Sequence, residues 1–254
     1  MAQVEAIKAF SDNYIWALHS KRDNQIIVVD PGQAEPVLDY LKRTGKKLAA
    51  ILITHHHWDH TTGVAALKQH FPRVKVYGPK NSPFEGIDVA LVDGNDIEVL
   101  EHHFHIIATP GHTLDHICYQ ANKYIFCGDT LFSAGCGRLF EGSAEQMWQS
   151  MQKFIGMDDK TLVYCTHEYT QANLDFATAC MPNDTEIAAY ANKVSQLRSR
   201  DKITLPSSIG REKRINPFLR PQSVMMDTFP AHLRPQTEDA LAKFTALRLW
   251  KDDF

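Results

Sequence analysis

Four candidate metal ligands fall within six residues in the block Thr54-His55-His56-His57-Trp58-Asp59-His60, directly after the apolar run Ala49 to Ile53. If the backbone stays extended past that run, positions 55, 57 and 59 project to one side by the two-residue period of a strand. Two imidazoles and a carboxylate then converge at a strand end. His60 stands at the entry to a helix expected over Thr62 to His70 and can turn toward a second point nearby. That is enough to begin two metal sites. His56 and Trp58 alternate to the other side and are expected to pack or to support the site. Histidine is abundant, 13 of 254 residues, and neutral imidazole is the commonest protein metal ligand. A solvated histidine-rich loop is the bland alternative, disfavoured by a position at a strand-to-helix junction, where α/β folds place function.

Three further residues follow strand-like runs at turns: His112 in Thr109-Pro110-Gly111-His112-Thr113, Asp129 in Cys127-Gly128-Asp129-Thr130, and His167 in Cys165-Thr166-His167-Glu168. Imidazole and carboxylate without thiolate suit zinc, iron(II) or manganese and leave positions open to water. A carboxylate such as Asp129 can bridge two cations. A pair about 3.5–4 Å apart activates a shared water and polarises a carbonyl, which is hydrolysis without a Ser or Cys nucleophile. Competing machineries are missing: the sequence has no G-x-S-x-G, P-loop or G-x-G-x-x-G, and His167-Glu168 continues as Tyr169-Thr170-Gln171 rather than completing H-E-x-x-H. The run His102-His103-Phe104-His105 is expected to be exposed strand histidines with no carboxylate nearby except Glu101.

The elements that must position these residues are legible in outline. Short β-branched runs bounded by Gly, Pro, Asn and Asp mark strands over Ile26 to Val29, Ala49 to Ile53, Val74 to Tyr77, Val89 to Val92, Ile97 to Leu100, His105 to Ala108, Ile117 to Gln120, Tyr124 to Cys127 and Thr161 to Cys165. Helical spacing recurs over Glu35 to Thr44, Thr62 to His70 and Ala144 to Phe154. This half reads as a layered α/β domain, residues 1–173. From 174 to 254 the texture is helical, over Leu174 to Cys180, Asp184 to Ser199 and Thr237 to Lys251, with a polar connection over Asp201 to Pro235 and an N-cap expected at Asn183-Asp184. A composition of 44% hydrophobic and 22% charged residues describes a globular chain. A net charge of −3 argues against nucleic-acid binding. Five cysteines without C-x-x-C spacing, no signal-like N-terminus and no apolar run of about 18 residues predict reduced thiols, no membrane span and a cytoplasmic location.

The pattern His55-x-His57-x-Asp59-His60 followed by His112, Asp129 and His167 resembles the signature of the metallo-β-lactamase superfamily. The resemblance implies an αββα sandwich over residues 1 to about 170, with a smaller helical domain after it. Within that superfamily the segments Thr54 to Gly63, Thr109 to Thr113, Gly135 to Gly142, Tyr164 to Thr170 and Asn216-Pro217-Phe218-Leu219-Arg220 look like those of the glyoxalase II family, and the helical extension matches that family's second domain. The resemblance implies one metal on His55, His57 and His112, a second on Asp59, His60 and His167, and a bridging Asp129, with Asp59 also orienting the attacking hydroxide. The cofactors implied are two divalent ions, zinc first, with iron or manganese as alternatives.

The family's glutathione contacts carry over to Arg138, Phe140, Tyr169, Arg248 and Lys251, although Phe140 lacks the hydroxyl that relatives often carry there. By pattern alone, Arg248 and Lys251 read as a solvated helix face. The implied activity is hydrolysis of an S-(2-hydroxyacyl)glutathione, typically S-D-lactoylglutathione, in methylglyoxal detoxification, by a cytoplasmic monomer whose partner is a small-molecule thioester. A mononuclear-iron persulfide dioxygenase, a ribonuclease of the same fold and a non-catalytic metal-binding module are the competing readings.

Overall fold

The computed structural model describes residues 3–254. It divides into two compact units. The first runs to Thr109 and resumes over Asp115–Gly128; the second comprises Pro110–Leu114 and Asp129–Phe254.

In the first unit, strands β1 (Val4–Ala9), β2 (Asn13–His19) and β3 (Gln25–Val29) pair antiparallel. Helix α1 (Glu35–Thr44) then leads to β4 (Lys47–Leu52), the turn α2 (Trp58–Thr61) and helix α3 (Val64–His70) lead to β5 (Lys75–Pro79), and β6 (Val89–Leu91) follows; β3 to β6 pair parallel. A second sheet is an antiparallel meander of β7 (Asp96–Val99), β8 (His102–Ala108), β9 (Ile117–Ala121) and β10 (Tyr124–Gly128).

Strand β2 is buried at every position because both faces are covered. Ile15 and Ala17 on one face join Val37, Leu41, Val64 and Leu67 of α1 and α3 in one core. On the other side Tyr119 of β9 donates its hydroxyl to the carbonyl of Ile53 at 2.8 Å, tying the second sheet to the end of β4. Helix α1 has local reasons to start and stop where it does: Pro36 in its first turn, Lys42 and Arg43 in its last, and Gly45 in the left-handed conformation as its cap.

The second unit opens with the hairpin β11 (Leu131–Phe132) and β12 (Gly135–Cys136). Helix α4 (Ala144–Ile155) follows, begun by a reciprocal capping box between Ser143 and Gln146. Strand β13 (Leu162–Cys165), helices α5 (Thr170–Cys180) and α6 (Thr185–Arg198), strand β14 (Ser207–Ser208), helix α7 (Ile209–Ile215) and helix α8 (Ala240–Asp253) complete it. Asp184 caps α6 by accepting from the amides of Glu186 and Ile187, the N-cap expected at that dipeptide.

The structure differs from the sequence reading at two places in these units. Strands β1 and β2 were absent from the predicted set: their Ala, Asn and Lys content weakens the strand pattern, and pairing with neighbouring strands, with full burial in β2, recruits them. The stretch Asp201 to Pro235 is more than a polar connection. It holds β14 and α7, and it buries Glu212, Asn216, Phe218 and Phe229. Among the described residues no helix is long and apolar enough to cross a membrane.

Candidate metal centre

The end of β4 carries the first group of predicted ligands. His55 and His60 are fully buried, and their ring centres lie 4.1 Å apart; His57 stands 4.8 Å from His55. Asp59 Oδ2 is 3.5 Å from His60 Nε2 and accepts a hydrogen bond from Asn13 Nδ2 at 3.0 Å. The four residues therefore gather, but not by the route the sequence suggested. Extension ends at His57, because a helical turn begins at Trp58: the amide of His60 bonds back to the carbonyl of His57 and that of Thr62 to Trp58. Asp59 comes to the group on this turn rather than by strand alternation, and His60 comes on the same turn, in keeping with the helix entry expected there.

Asp30 organises these imidazoles. Its Oδ1 accepts from the amide of Thr54 (2.8 Å) and its Oδ2 from the Thr54 hydroxyl (2.7 Å). The same Oδ2 lies 3.1 Å from His60 Nδ1. With its proton given to Asp30, Thr54 Oγ1 is an acceptor for His55 Nδ1, 3.1 Å away. His55 thus carries its proton on Nδ1 and keeps the lone pair on Nε2, the tautomer a metal needs. His116 supports from the side, stacked on His55 at 4.8 Å with its Nδ1 3.0 Å from the Thr109 hydroxyl. His56 meets Asp115 at 3.0 Å, so it has the supporting place expected. Trp58 does not: it is 66% exposed, in edge contact with Phe10.

In the second unit, the Nε2 atoms of His112 and His167 stand 3.6 and 3.2 Å from one oxygen, Asp129 Oδ2, and all three residues are buried. The backbone carbonyl of Arg138 lies 2.7 Å from His112 Nδ1 and can only accept. Nε2 of His112 is therefore the lone-pair nitrogen here too. Glycine is required at 137, since a Cβ would sit 2.0 Å from the carbonyl oxygen of Asp129 and 3.1 Å from His112 Nδ1. Lone-pair imidazoles and carboxylates without thiolate are a donor set that fits divalent zinc, iron or manganese.

The predicted substrate contacts also lie in this unit. Tyr169 stacks on His167 (4.6 Å, 3° between planes), and exposed Phe140 meets His112 edge-on at 5.3 Å. Arg138 donates from Nε and Nη2 to Asp252. Arg248 is only 5% exposed, so the solvated-face reading does not hold for it; its Nη1 donates to the carbonyl of Cys136 at 2.9 Å. Lys251 stands 5.3 Å from the rings of Phe176 and Phe254, and burial, with Arg248 nearby, pushes its ammonium below the usual lysine range.

Two residues outside the predicted set matter. Asp30 stands in a turn signal, Asp30-Pro31-Gly32, at the exit of β3; an acidic side chain there, as at Asp129, was the available clue. Glu212 is fully buried and receives Ser133, Ser207, Asn216 and the amide of Ala134, which no local pattern discloses. The histidine run 102–105 needs a correction. His102 is buried between the His19 carbonyl (3.0 Å) and the Tyr124 hydroxyl (3.1 Å), and only His103 and His105 are exposed, facing Glu98 and Asp96 across the β7–β8 pair.

Fold and site together define a member of the metallo-β-lactamase superfamily, whose family model matches residues 13–167. A second model, described as the hydroxyacylglutathione hydrolase C-terminus, matches residues 168–254. Among curated relatives, the hydroxyacylglutathione hydrolase of Pseudoalteromonas translucida is 57% identical over 257 residues, covering 100% of both chains. That of Vibrio cholerae is 48% identical over 254 residues, again covering 100% of both. The chain belongs to the hydroxyacylglutathione hydrolase family. Of solved structures, ETHE1 from Myxococcus xanthus matches with a TM-score of 0.66 at 26% identity, covering 86% of this chain and 84% of that one. The BLEG-1 B3 metallo-β-lactamase shares the fold with a TM-score of 0.63 at 22% identity, covering 86% and 99%.

Proposed function

We propose that this chain hydrolyses the thioester of an S-(2-hydroxyacyl)glutathione, with S-D-lactoylglutathione as the type substrate, to the free 2-hydroxy acid and glutathione. His55, His57 and His112 hold one divalent cation, Asp59, His60 and His167 hold a second, and Asp129 bridges them. Zinc is the first choice of metal, with iron or manganese as alternatives. The observation that carries the reading is the arrangement of tautomers: Thr54, its proton given to Asp30, and the Arg138 carbonyl leave Nε2 of His55 and His112 as lone-pair donors. The substrate class is supported by full-length similarity to relatives of that name.

When bound, a pair of cations supplies an acidified water and a polarised carbonyl. Asp59, fixed by Asn13, accepts a hydrogen bond from the attacking water and sets its direction. The water oxygen bonds to the acyl carbon, the carbon–sulfur bond breaks, and the water's proton ends on the thiolate. Arg138 and Lys251 meet the carboxylate end of the tripeptide, where one charge-assisted bond contributes about 1.5–3 kcal/mol, and Tyr169, Phe140 and Arg248 complete that wall. The reading includes a catalytic domain over 1–173, a helical domain over 174–254, a monomer, and a cytoplasmic setting that suits five buried, unbridged cysteines.

The test is thiol release from S-D-lactoylglutathione by purified, metal-loaded protein, with oxygen uptake followed in parallel. Thiol release without oxygen consumption is expected. Metal-loaded protein that releases no thiol overturns the reading, and oxygen consumption would favour the dioxygenase.

A further inference from the structure

Arg138 and Arg248 share one carboxylate, that of Asp252. Asp252, in the last turn of α8, accepts from Arg138 Nε at 3.1 Å and from Arg248 Nη2 at 3.0 Å through the same Oδ1 atom. Its backbone carbonyl accepts from Arg138 Nη2 at 3.3 Å. Arg248 is anchored in turn, its Nη1 donating to the carbonyls of Cys136 (2.9 Å) and Gly137 (3.4 Å). These are the two residues immediately before Arg138 in the chain. The loop and its arginine are thus gripped from one helix at two levels: backbone by Arg248, side chain by Asp252.

The geometry of the grip decides what remains. Nε and Nη2 form the side edge of a guanidinium, and both are engaged. Among the described residues Nη1 of Arg138 has no hydrogen-bond partner, so the end-on pair of Nη1 and the second Nη2 proton is open, on a side chain that is 56% exposed. A planar fork held by one edge offers the other in a defined plane, which is the arrangement a second carboxylate requires. A free arginine on an exposed loop would lose rotamer entropy on binding, and prior immobilisation removes that cost.

We infer that Asp252 is a positioning residue that orients Arg138 for the terminal carboxylate of the glutathione thioester. The inference rests on the function proposed above. It also separates two roles within α8: Lys251 supplies charge, whereas Asp252 supplies no attraction for an anion and would on charge alone repel it.

The test is steady-state kinetics of Asp252→Asn on two substrates, S-D-lactoylglutathione and its glycyl-amide analogue, which lacks the terminal carboxylate. The expected result is a rise in KM of about tenfold for the first, the loss of one oriented charge-assisted bond. Its kcat stays within about twofold, and KM for the amide shifts by no more than about twofold. Asp252→Glu, which keeps the acceptor, holds KM within about threefold. On an Arg138→Gln background the Asp252→Asn effect vanishes. An unshifted KM, a lowered KM, or an equal loss on both substrates overturns the positioning role. Wild-type protein that leaves S-D-lactoylglutathione intact sinks the functional reading and this inference with it, whereas normal wild-type turnover with an unshifted variant sinks the inference alone.

Discussion

Replacing Asp30 with asparagine exchanges one oxygen for an amide nitrogen in a fully packed place, so size is conserved and hydrogen-bond polarity is not. The carbonyl oxygen of the new side chain can still accept from the Thr54 amide, as Oδ1 does at 2.8 Å. The NH2 group then faces the Thr54 hydroxyl, from which Oδ2 had accepted at 2.7 Å. Thr54 must turn its proton away from the amide and toward His55 Nδ1, 3.1 Å distant. His55 is driven to the tautomer with hydrogen on Nε2, which cannot ligate through that nitrogen.

Losing the partner that orients one ligating histidine costs about 10- to 100-fold in metal affinity or activity, and a loss in that range is expected here. The assay is metal content by mass spectrometry after gel filtration, kcat/KM on S-D-lactoylglutathione, and Tm of the apo form to separate metal loss from unfolding. Thr54→Val, which breaks only the link to His55, should fall between Asp30→Asn and wild type. Full metal content and activity in Asp30→Asn would refute the polarity argument.

Three other perturbations have defined outcomes. Gly128 has φ +47°, and a Cβ there would lie 2.4 Å from Thr54 Oγ1 and 2.7 Å from His116 Nε2; Gly128→Ala should lose about 1–2 kcal/mol from the left-handed backbone alone, more with the clash, read as a lowered Tm and reduced metal retention. Burial pushes the Glu212 carboxyl above its usual 4.5 against the hydrogen bonds from Ser207, Ala134, Ser133 and Asn216, so the folded chain holds that proton more tightly than the unfolded one. This contribution to stability is present below pH 4.5 and is lost as pH rises through the raised folded value. Glutamine can accept from Ala134 and Asn216 with its oxygen and donate to the two serines, so the stability of wild type relative to Glu212→Gln should decline from pH 5 toward neutrality; urea melts at several pH values that show no such trend would contradict the assignment. Chelation should abolish thiol release and lower Tm, with both restored by added divalent cation, because a bound ion stabilises only the folded state.

How much was legible in advance varies by element. Strands such as β3 to β5 and β8 to β10 are marked by apolar runs with clear punctuation, and α1 and α4 by helical spacing with caps, so local chemistry sufficed for them. Strand β2 has no comparable boundary signal; it is a strand because it pairs with β1 and β3 and packs Ile15 and Ala17 in one core with α1 and α3. The helix α7 hid in a polar stretch because its buried Glu212 and Asn216 depend on residues about 80 positions earlier, Ala134 and Gly135 among them, as well as on near neighbours.

For the site the division is similar. Residue type and position nominated His55, His57, Asp59, His60, His112, Asp129 and His167 as candidates, and the resemblance to the metallo-β-lactamase superfamily sorted them into a ligand set. What only the tertiary structure decided is how the imidazoles are poised. Asp59 arrives on a helical turn rather than by alternation. The tautomer of His55 depends on a hydroxyl whose proton goes to Asp30, and that of His112 on the carbonyl of Arg138. A hydrogen bond has direction, and its partner is chosen by packing across the chain. Local spacing can therefore announce which nitrogens are present but not which of them carries the proton.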